Sequence, residues 1–311
     1  MRILMSVLAV SCIAFLACGE DNPSSTQGNV AASNNTDQSE QEILSSDAME
    51  MSSSNESAVV LSSSSLAVKE SSSSFVVPGC KTETEDDCVY GTIIDSRDGK
   101  TYKTVVIGDQ EWMAENLYYD YPVYVGDSVS STCKLSSPIF CNPIGIYYGW
   151  AKVIGANKED NCNENECEMP EGDIQGLCPD GWHLPSVNEY RTLLYAVGGS
   201  CDAVRYTSHN RPIEDWYQIS NKLKADSGWS NAGLMPDGDN RYGFSALPSG
   251  RVSRSGDNEN TSYAIFLTST QFDDKYIYTV WLYGGGSTGA IHADYPKSSS
   301  YMVRCVKNTV L

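Results

Sequence analysis

The residues of this 311-residue chain with the most specific chemistry are its eleven cysteines and three histidines. Cys162 and Cys167 enclose Asn163-Glu164-Asn165-Glu166, a C-x4-C spacing. A structural zinc site takes four ligands and so a second such pair, and none follows; in an exported chain a disulfide is the better reading. His183, His209 and His292 stand outside any H-E-x-x-H spacing. His183 precedes a helix and reads as a packed structural histidine, whereas His209 and His292 read as exposed loop or strand. Gly285-Gly286-Ser287-Thr288-Gly289 fits G-x-S-x-G, which as a nucleophile elbow needs a strand before it and a helix after it. Here "AIHADY" follows and has the look of a strand, so the glycines mark a hairpin turn. The acid- and amide-rich stretches 236–243 and 255–260, and the acidic run at 159–168, offer oxygens of the kind calcium takes. None follows an EF-hand spacing, and all read as solvated turns. No catalytic residue, metal site or cofactor is therefore expected.

These residues must be held by a limited set of elements. Ser186-Val187-Asn188-Glu189 fits the S-x-x-E capping box. Tyr190, Leu193, Leu194 and Val197 follow at i, i+3, i+4, i+7, and Gly198-Gly199 can end the helix, which is expected over 186–197. "TYKTVVIGDQEWMAENL" (101–117) reads as a hairpin turning at Gly108-Asp109. A short helix is expected over 146–156, and a second longer one over 211–225 with Trp216, Ile219 and Leu223 inward. Strand-like runs occupy 242–250, 263–270, 276–283 and 301–307. Both faces of 276–283 are apolar, which places it in the interior of a sheet. Helices early and strands late imply an α+β domain.

Composition divides the chain. Arg2 and the apolar run Ile3–Leu16 form an export signal too short to span a bilayer as a helix. Leu16-Ala17-Cys18-Gly19 resembles the bacterial lipobox, which implies cleavage before Cys18 and lipid on that residue; Gly19 after it implies sorting to the outer membrane or cell surface. Several acyl chains at about 0.8 kcal/mol per buried methylene would anchor it to the membrane lastingly. Residues 19–79 are dominated by Ser, Asn, Gln and acids, cannot offset their ordering entropy, and read as a disordered tether spanning roughly 45 Å. The globular part is 80–311. The net charge of -19 disfavours nucleic acid and anionic lipid surfaces as partners. Beyond Cys12 and Cys18, nine cysteines remain, a number that implies disulfides in an exported chain and leaves one thiol over.

The blocks "GTIIDSRDGKTYKTVVIGDQEWMAENLYYD", "GIYYGWAKVIGA", "GLCPDGWHLPSVNEYRTLL", "NKLKADSGW", "YGFSALPSG" and "VRCVKN" occur in the order seen in the Fibrobacter succinogenes major paralogous domain, and residues 89–308 resemble that family. The resemblance implies no activity. More remotely, Cys178, the Gly181-to-Ser186 segment, the acidic helix start and Cys305 near the chain end resemble the C-type lectin fold, shared by formylglycine-generating enzymes. That resemblance implies a Cys178–Cys305 bridge; close spacing then implies Cys162–Cys167, Cys133–Cys141 and Cys80–Cys88, with Cys201 left over. It also implies variable binding loops, here 231–241 and 249–262, although the Glu-Pro-Asn and Trp-Asn-Asp ligand motifs of sugar-binding lectins are missing. The oxidases of this fold use a redox cysteine pair, for which only Cys305 stands in the right region. The role expected is a non-catalytic recognition or adhesion module, binding a glycan or a cell-surface partner. An oxidase-type enzyme and a structural envelope lipoprotein are the alternatives.

Overall fold

The structure, a computed structural model, describes residues 76–125, 128–131, 141–156, 162–229 and 236–309. The expected export signal, Cys18, the Ser-rich stretch up to residue 75, Cys133 and residues 231–235 lie outside the described residues.

Tyr90–Ile94 (β1) pairs antiparallel with Thr101–Ile107 (β2), and Gln110–Met113 (β3) folds back along β2. The turn falls on Gly108-Asp109, with Gly108 at φ 62°, a left-handed value that a β-carbon resists. Two small hairpins follow, Pro122–Val125 with Ser128–Ser131 (β4, β5) and Cys141–Asn142 with Gly145–Ile146 (β6, β7). Tyr148–Gly149 (β8) then leads into one helical turn, Trp150–Val153 (α1), inside the stretch expected to be helical.

Trp182–His183 (β9) introduces the longest helix described, Val187–Ala196 (α2). Its capping box is formed: Ser186 Oγ accepts from the Glu189 N–H at 3.2 Å, and Glu189 Oε2 accepts from the Ser186 N–H at 2.8 Å. Val187, Tyr190, Leu193 and Leu194 make the buried face. Each such side chain contributes about 1.5–3 kcal/mol over its exposed state.

The helix expected over 211–225 is not formed. Ser200–Tyr206 (β10) pairs with Pro212–Tyr217 (β11), and only Ser220–Leu223 (α3) is helical. Trp216, Ile219 and Leu223 are buried as their spacing implies, but the first points inward from a strand and the others from the turn after it. β11 gains hydrogen bonds from β10 on one edge and from a strand more than seventy residues later on the other, Ile213 opposite His292. Long-range pairing of this kind overrides local propensity.

The rest is mostly strand: Arg251–Val252 (β12), Asn258–Glu259 (β13), Tyr263–Gln271 (β14), Tyr276–Tyr283 (β15), Gly289–Pro296 (β16), Ser300–Tyr301 (β17) and Val306–Lys307 (β18). The run 242–250 is not a strand, because Gly243, Ser245 and Gly250 take φ of 69°, 57° and 63°. The expected strand at 301–307 is interrupted between β17 and β18.

The larger sheets run β1-β2-β3-β18-β9 and β10-β11-β16-β15-β14, with a four-stranded sheet β13-β12-β17-β8 beside them. β15 lies inside its sheet with both faces covered. Val280 and Leu282 join the core around α2, while Ile277 and Trp281 join a second core with Trp150, Tyr148 and Tyr301. With three short helices among the described residues, the class is α+β verging on mostly β. The Val77 N–H donates to Ala196 O at 2.9 Å and Val77 O accepts from the Tyr242 hydroxyl at 3.0 Å, so the folded part begins before Cys80. Among the described residues no helix is long and apolar enough to cross a membrane.

Candidate functional site

The structure joins Cys178 to Cys305, Cys162 to Cys167 and Cys80 to Cys88, with Cα separations of 5.9, 5.4 and 4.7 Å. The C-x4-C sulfurs are thus bonded to each other and closed to zinc. Cys141 is also disulfide-bonded, and Cys133, the partner expected for it, lies outside the described residues. Cys201 is disulfide-bonded as well, which corrects its reading as the thiol left over. Cys178 and Cys305 are fully buried, and their bridge ties the approach to β9 and α2 to the approach to β18.

Beside that bridge, β9 and the start of α2 set His183 against three oxygens. Nε2 lies 2.7 Å from Glu189 Oε1, Nδ1 lies 2.8 Å from Asn308 Oδ1, and Asp173 Oδ2 is 3.7 Å from Nδ1. The capping-box glutamate therefore serves twice, Oε2 holding Ser186 and Oε1 holding the imidazole. Burial would lower the His183 pKa, but Glu189 outweighs it and holds the ring above its ordinary value. Burial likewise opposes ionisation of Glu189, yet His183 and the Ser186 N–H hold its carboxyl below the usual range. Asp173, His183 and Glu189 are the group among the described residues whose ligand atoms, all within 4.8 Å of one another, could hold a metal ion. Both ring nitrogens already face an oxygen, so an ion-paired latch accounts for the group as it stands. His183 is the packed histidine its sequence context implies, only 3% exposed.

A second cluster, unforeseen in the sequence, surrounds a cavity of about 450 Å³ between β2, residues 114–118, and the segments 225–227 and 245–247. Small-molecule pockets run from roughly 300 to 1,000 Å³. The floor is Arg304, which is 1% exposed. Its Nε donates to Asn116 Oδ1 at 2.9 Å, Nη1 to Phe244 O, and Nη2 to Ser245 O at 2.9 Å. The guanidinium also lies 4.4 Å from the centre of the Phe244 ring and 5.2 Å from that of Phe266. Burial pushes its pKa down to about 9, so it stays charged at neutral pH. Ser245 sits at φ 57°, a left-handed conformation costing on the order of 1–3 kcal/mol for a residue with a β-carbon. Asn240 holds it there: its Oδ1 accepts the Ser245 N–H and its Nδ2 donates to Ser245 Oγ, both at 2.8 Å.

At the rim, Lys100 Nζ stands 3.5 Å over the Tyr118 ring and Lys103 Nζ 3.3 Å over the Tyr90 ring. Two carboxylates share the rim. Asp226 is held by Lys81 Nζ at 2.6 Å, and Glu115 accepts the Lys103 backbone N–H at 2.7 Å. Tyr102, Ile144 and Leu247 supply further wall.

The other nominated residues serve the fold. His209 is exposed in the β10–β11 turn, as expected. His292, expected exposed, is 9% exposed, because β16 sets it 4.8 Å from Trp281 with the Tyr283 hydroxyl 3.2 Å from Nε2. Ser287 lies in the turn joining β15 to β16, both strands, which removes the helix a nucleophile elbow needs. The oxygens of the acidic turns are partly used internally: Asp237 Oδ1 accepts the Trp229 N–H, Asp257 Oδ2 accepts from Ser255, and Glu259 pairs with Arg251. Trp112, Trp150, Trp182 and Trp229 are all core residues.

The sequence profile of the Fibrobacter succinogenes major domain matches residues 105–307. The chain belongs to the Fibrobacter succinogenes major domain family. That stretch contains α2, both five-stranded sheets apart from β1 and the first strand residues of β2, the Cys178–Cys305 bridge and Arg304. Membership of this family and the disulfides are compatible with an exported, surface-associated protein. Comparison with curated proteins and with solved structures gave no significant match.

Proposed function

We propose that this Fibrobacter succinogenes major domain protein is a surface-anchored, non-catalytic recognition module of C-type lectin-like architecture, tethered through lipid on Cys18, and that the cavity over Arg304 receives its ligand, a glycan or an envelope partner. The observation that carries the reading is the cavity itself: small-molecule size, polar and aromatic walls, and a buried cation at its floor. The lectin-like part rests on the Cys178–Cys305 bridge beside a capped helix and on the strand-rich second half. The oxidase alternative needs Cys305 as a reactive thiol, and its bond to Cys178 weighs against that.

A glycan array and a cellulose pull-down with the full chain test the reading, alongside Ser227→Trp, which fills the mouth from an exposed position. Retention by the native chain and loss in the variant is expected. Blank arrays, or a ligand that the variant binds equally well, would overturn it. Co-purification with envelope proteins, unaffected by Ser227→Trp, would favour a structural role instead.

A further inference from the structure

The charges around the cavity point to what it takes. In a chain of net charge -19, cations readily find carboxylates, and most of those described do so. Arg97 pairs with Asp95, Arg191 with Glu214, Arg205 with Asp215, Arg251 with Glu259 and Lys307 with Glu111. Lys222, Lys224 and Lys297 instead bond backbone or amide oxygens and form no ion pair among the described residues, and the cations facing the cavity form none either. Arg304 hydrogen-bonds only amide and backbone carbonyl oxygens and lies against two aromatic rings; Glu115 acts on it electrostatically, but among the described residues no carboxylate forms an ion pair with it. Lys100 rests on Tyr118 and gives one hydrogen bond to that residue's carbonyl, and Lys103 rests on Tyr90.

Burying a cation without a paired carboxylate costs several kcal/mol, and Lys224 and Lys297 offset it with backbone and amide oxygens alone. Among these carboxylate-free buried cations Arg304 is the one that lines the cavity, where an anion can approach it. A guanidinium has five N–H donors, of which the three bonds above use three. The two N–H groups that remain, one on each Nη, can donate to a carboxylate. Glu115 and Asp226 on the rim oppose a highly charged ligand, and Lys100 and Lys103 offset them for a monoanion. Polar groups on Tyr102, Ser227 and Ser245 can meet hydroxyls, and Ile144 and Leu247 give an apolar wall for a ring face.

We propose that the cavity binds a ligand through a carboxylate, borne on an acidic sugar residue, with Arg304 receiving the carboxylate and Lys100 and Lys103 drawing it in. The proposal rests on the cavity being the binding site, and deepens that reading by naming the group recognised.

Titration calorimetry of the full chain with glucuronate, galacturonate, glucose, galactose, succinate and inorganic phosphate tests it. A hydrogen-bonded charge in place of a neutral hydroxyl makes the uronates at least about tenfold tighter than the neutral hexoses. Lys100→Gln with Lys103→Gln removes most of that margin and flattens its salt dependence while leaving the melting temperature near native. These rim variants carry the test because Arg304 variants can fail to fold.

Glucose binding as tightly as glucuronate overturns the carboxylate assignment. If Ser227→Trp still blocks both sugars, the cavity reading survives that result; if Ser227→Trp leaves uronate binding intact, the cavity reading falls as well. Succinate matching the uronates moves the carboxylate from a sugar to a small organic acid. Tighter phosphate binding, or no saturable binding by any acid, overturns the proposal.

Discussion

Removing the Cys178–Cys305 bridge by substituting both residues with Ala gives the sharpest test of how the domain is held. The bond closes a span of 127 residues, against 8 for Cys80–Cys88. In the chain-entropy account, the first constrains the unfolded chain by about 5 kcal/mol and the second by about 2.5 kcal/mol at 25 °C. Cys178 and Cys305 are also fully buried, so losing their sulfurs adds on the order of 1 kcal/mol each. The long bridge should therefore cost about 6–7 kcal/mol and the short one about 2.5 kcal/mol. Domains of this kind have only about 5–15 kcal/mol in total. The Cys178→Ala/Cys305→Ala chain should stand at the edge of stability, and the Cys80→Ala/Cys88→Ala chain should remain folded. Urea unfolding followed by tryptophan fluorescence, with matched slopes, measures both. Equal losses, or a larger loss from the short bridge, would refute the view that loop closure dominates.

The latch at His183 makes stability depend on pH in both directions. Its folded pKa lies above 6.5, so its contribution is complete below 6.5 and disappears as pH rises through the folded value. Glu189, held below 4.5, contributes fully above 4.5 and loses its contribution as pH falls through its folded value. Melting temperature should therefore show a plateau from this pair between pH 4.5 and 6.5. His183→Gln should abolish the alkaline-side decline and cost about 1.5–3 kcal/mol on the plateau; an unchanged pH profile would refute the pairing. Gly145→Ala should destabilise by about 1–3 kcal/mol. Gly145 sits at φ 151°, and a β-carbon there would stand 2.7 Å from Met302 Sδ and 2.9 Å from Asn116 Cβ. Because Asn116 holds Arg304, ligand affinity should fall in the same variant, and calorimetry would show it.

Elements whose reason for existing is local were legible in the sequence. Ser186 and Glu189 state the start of α2 by themselves, Gly108-Asp109 states the turn from β2 to β3, and the two apolar faces of 276–283 state an interior strand. Pairing that is decided at long range was not legible. Trp216, Ile219 and Leu223 keep helical spacing, yet the backbone before them is claimed by β10 and β16. Likewise 242–250 alternates as a strand would, but its Phe244 and Ser245 carbonyls bond to Arg304 rather than to a neighbouring strand. The cavity is assembled from segments near residues 100, 115, 144, 226, 246 and 304. None is a motif, and a lone Arg in "VRCVK" carries no sign that its partners will all be uncharged. His292 was misplaced for a similar reason, since its burial comes from aromatic neighbours on β15.

The residues from 303 to 308 bond to segments spread widely along the chain. Val303 O accepts from Leu117, Arg304 reaches Asn116, Phe244 and Ser245, Cys305 bonds Cys178, Val306 pairs with Trp112 and His183, and Asn308 meets His183 and Gly181. That short segment is the keystone of the arch: it fastens the first sheet, the cavity wall and the approach to α2 at once, so whatever loosens it loosens all three together.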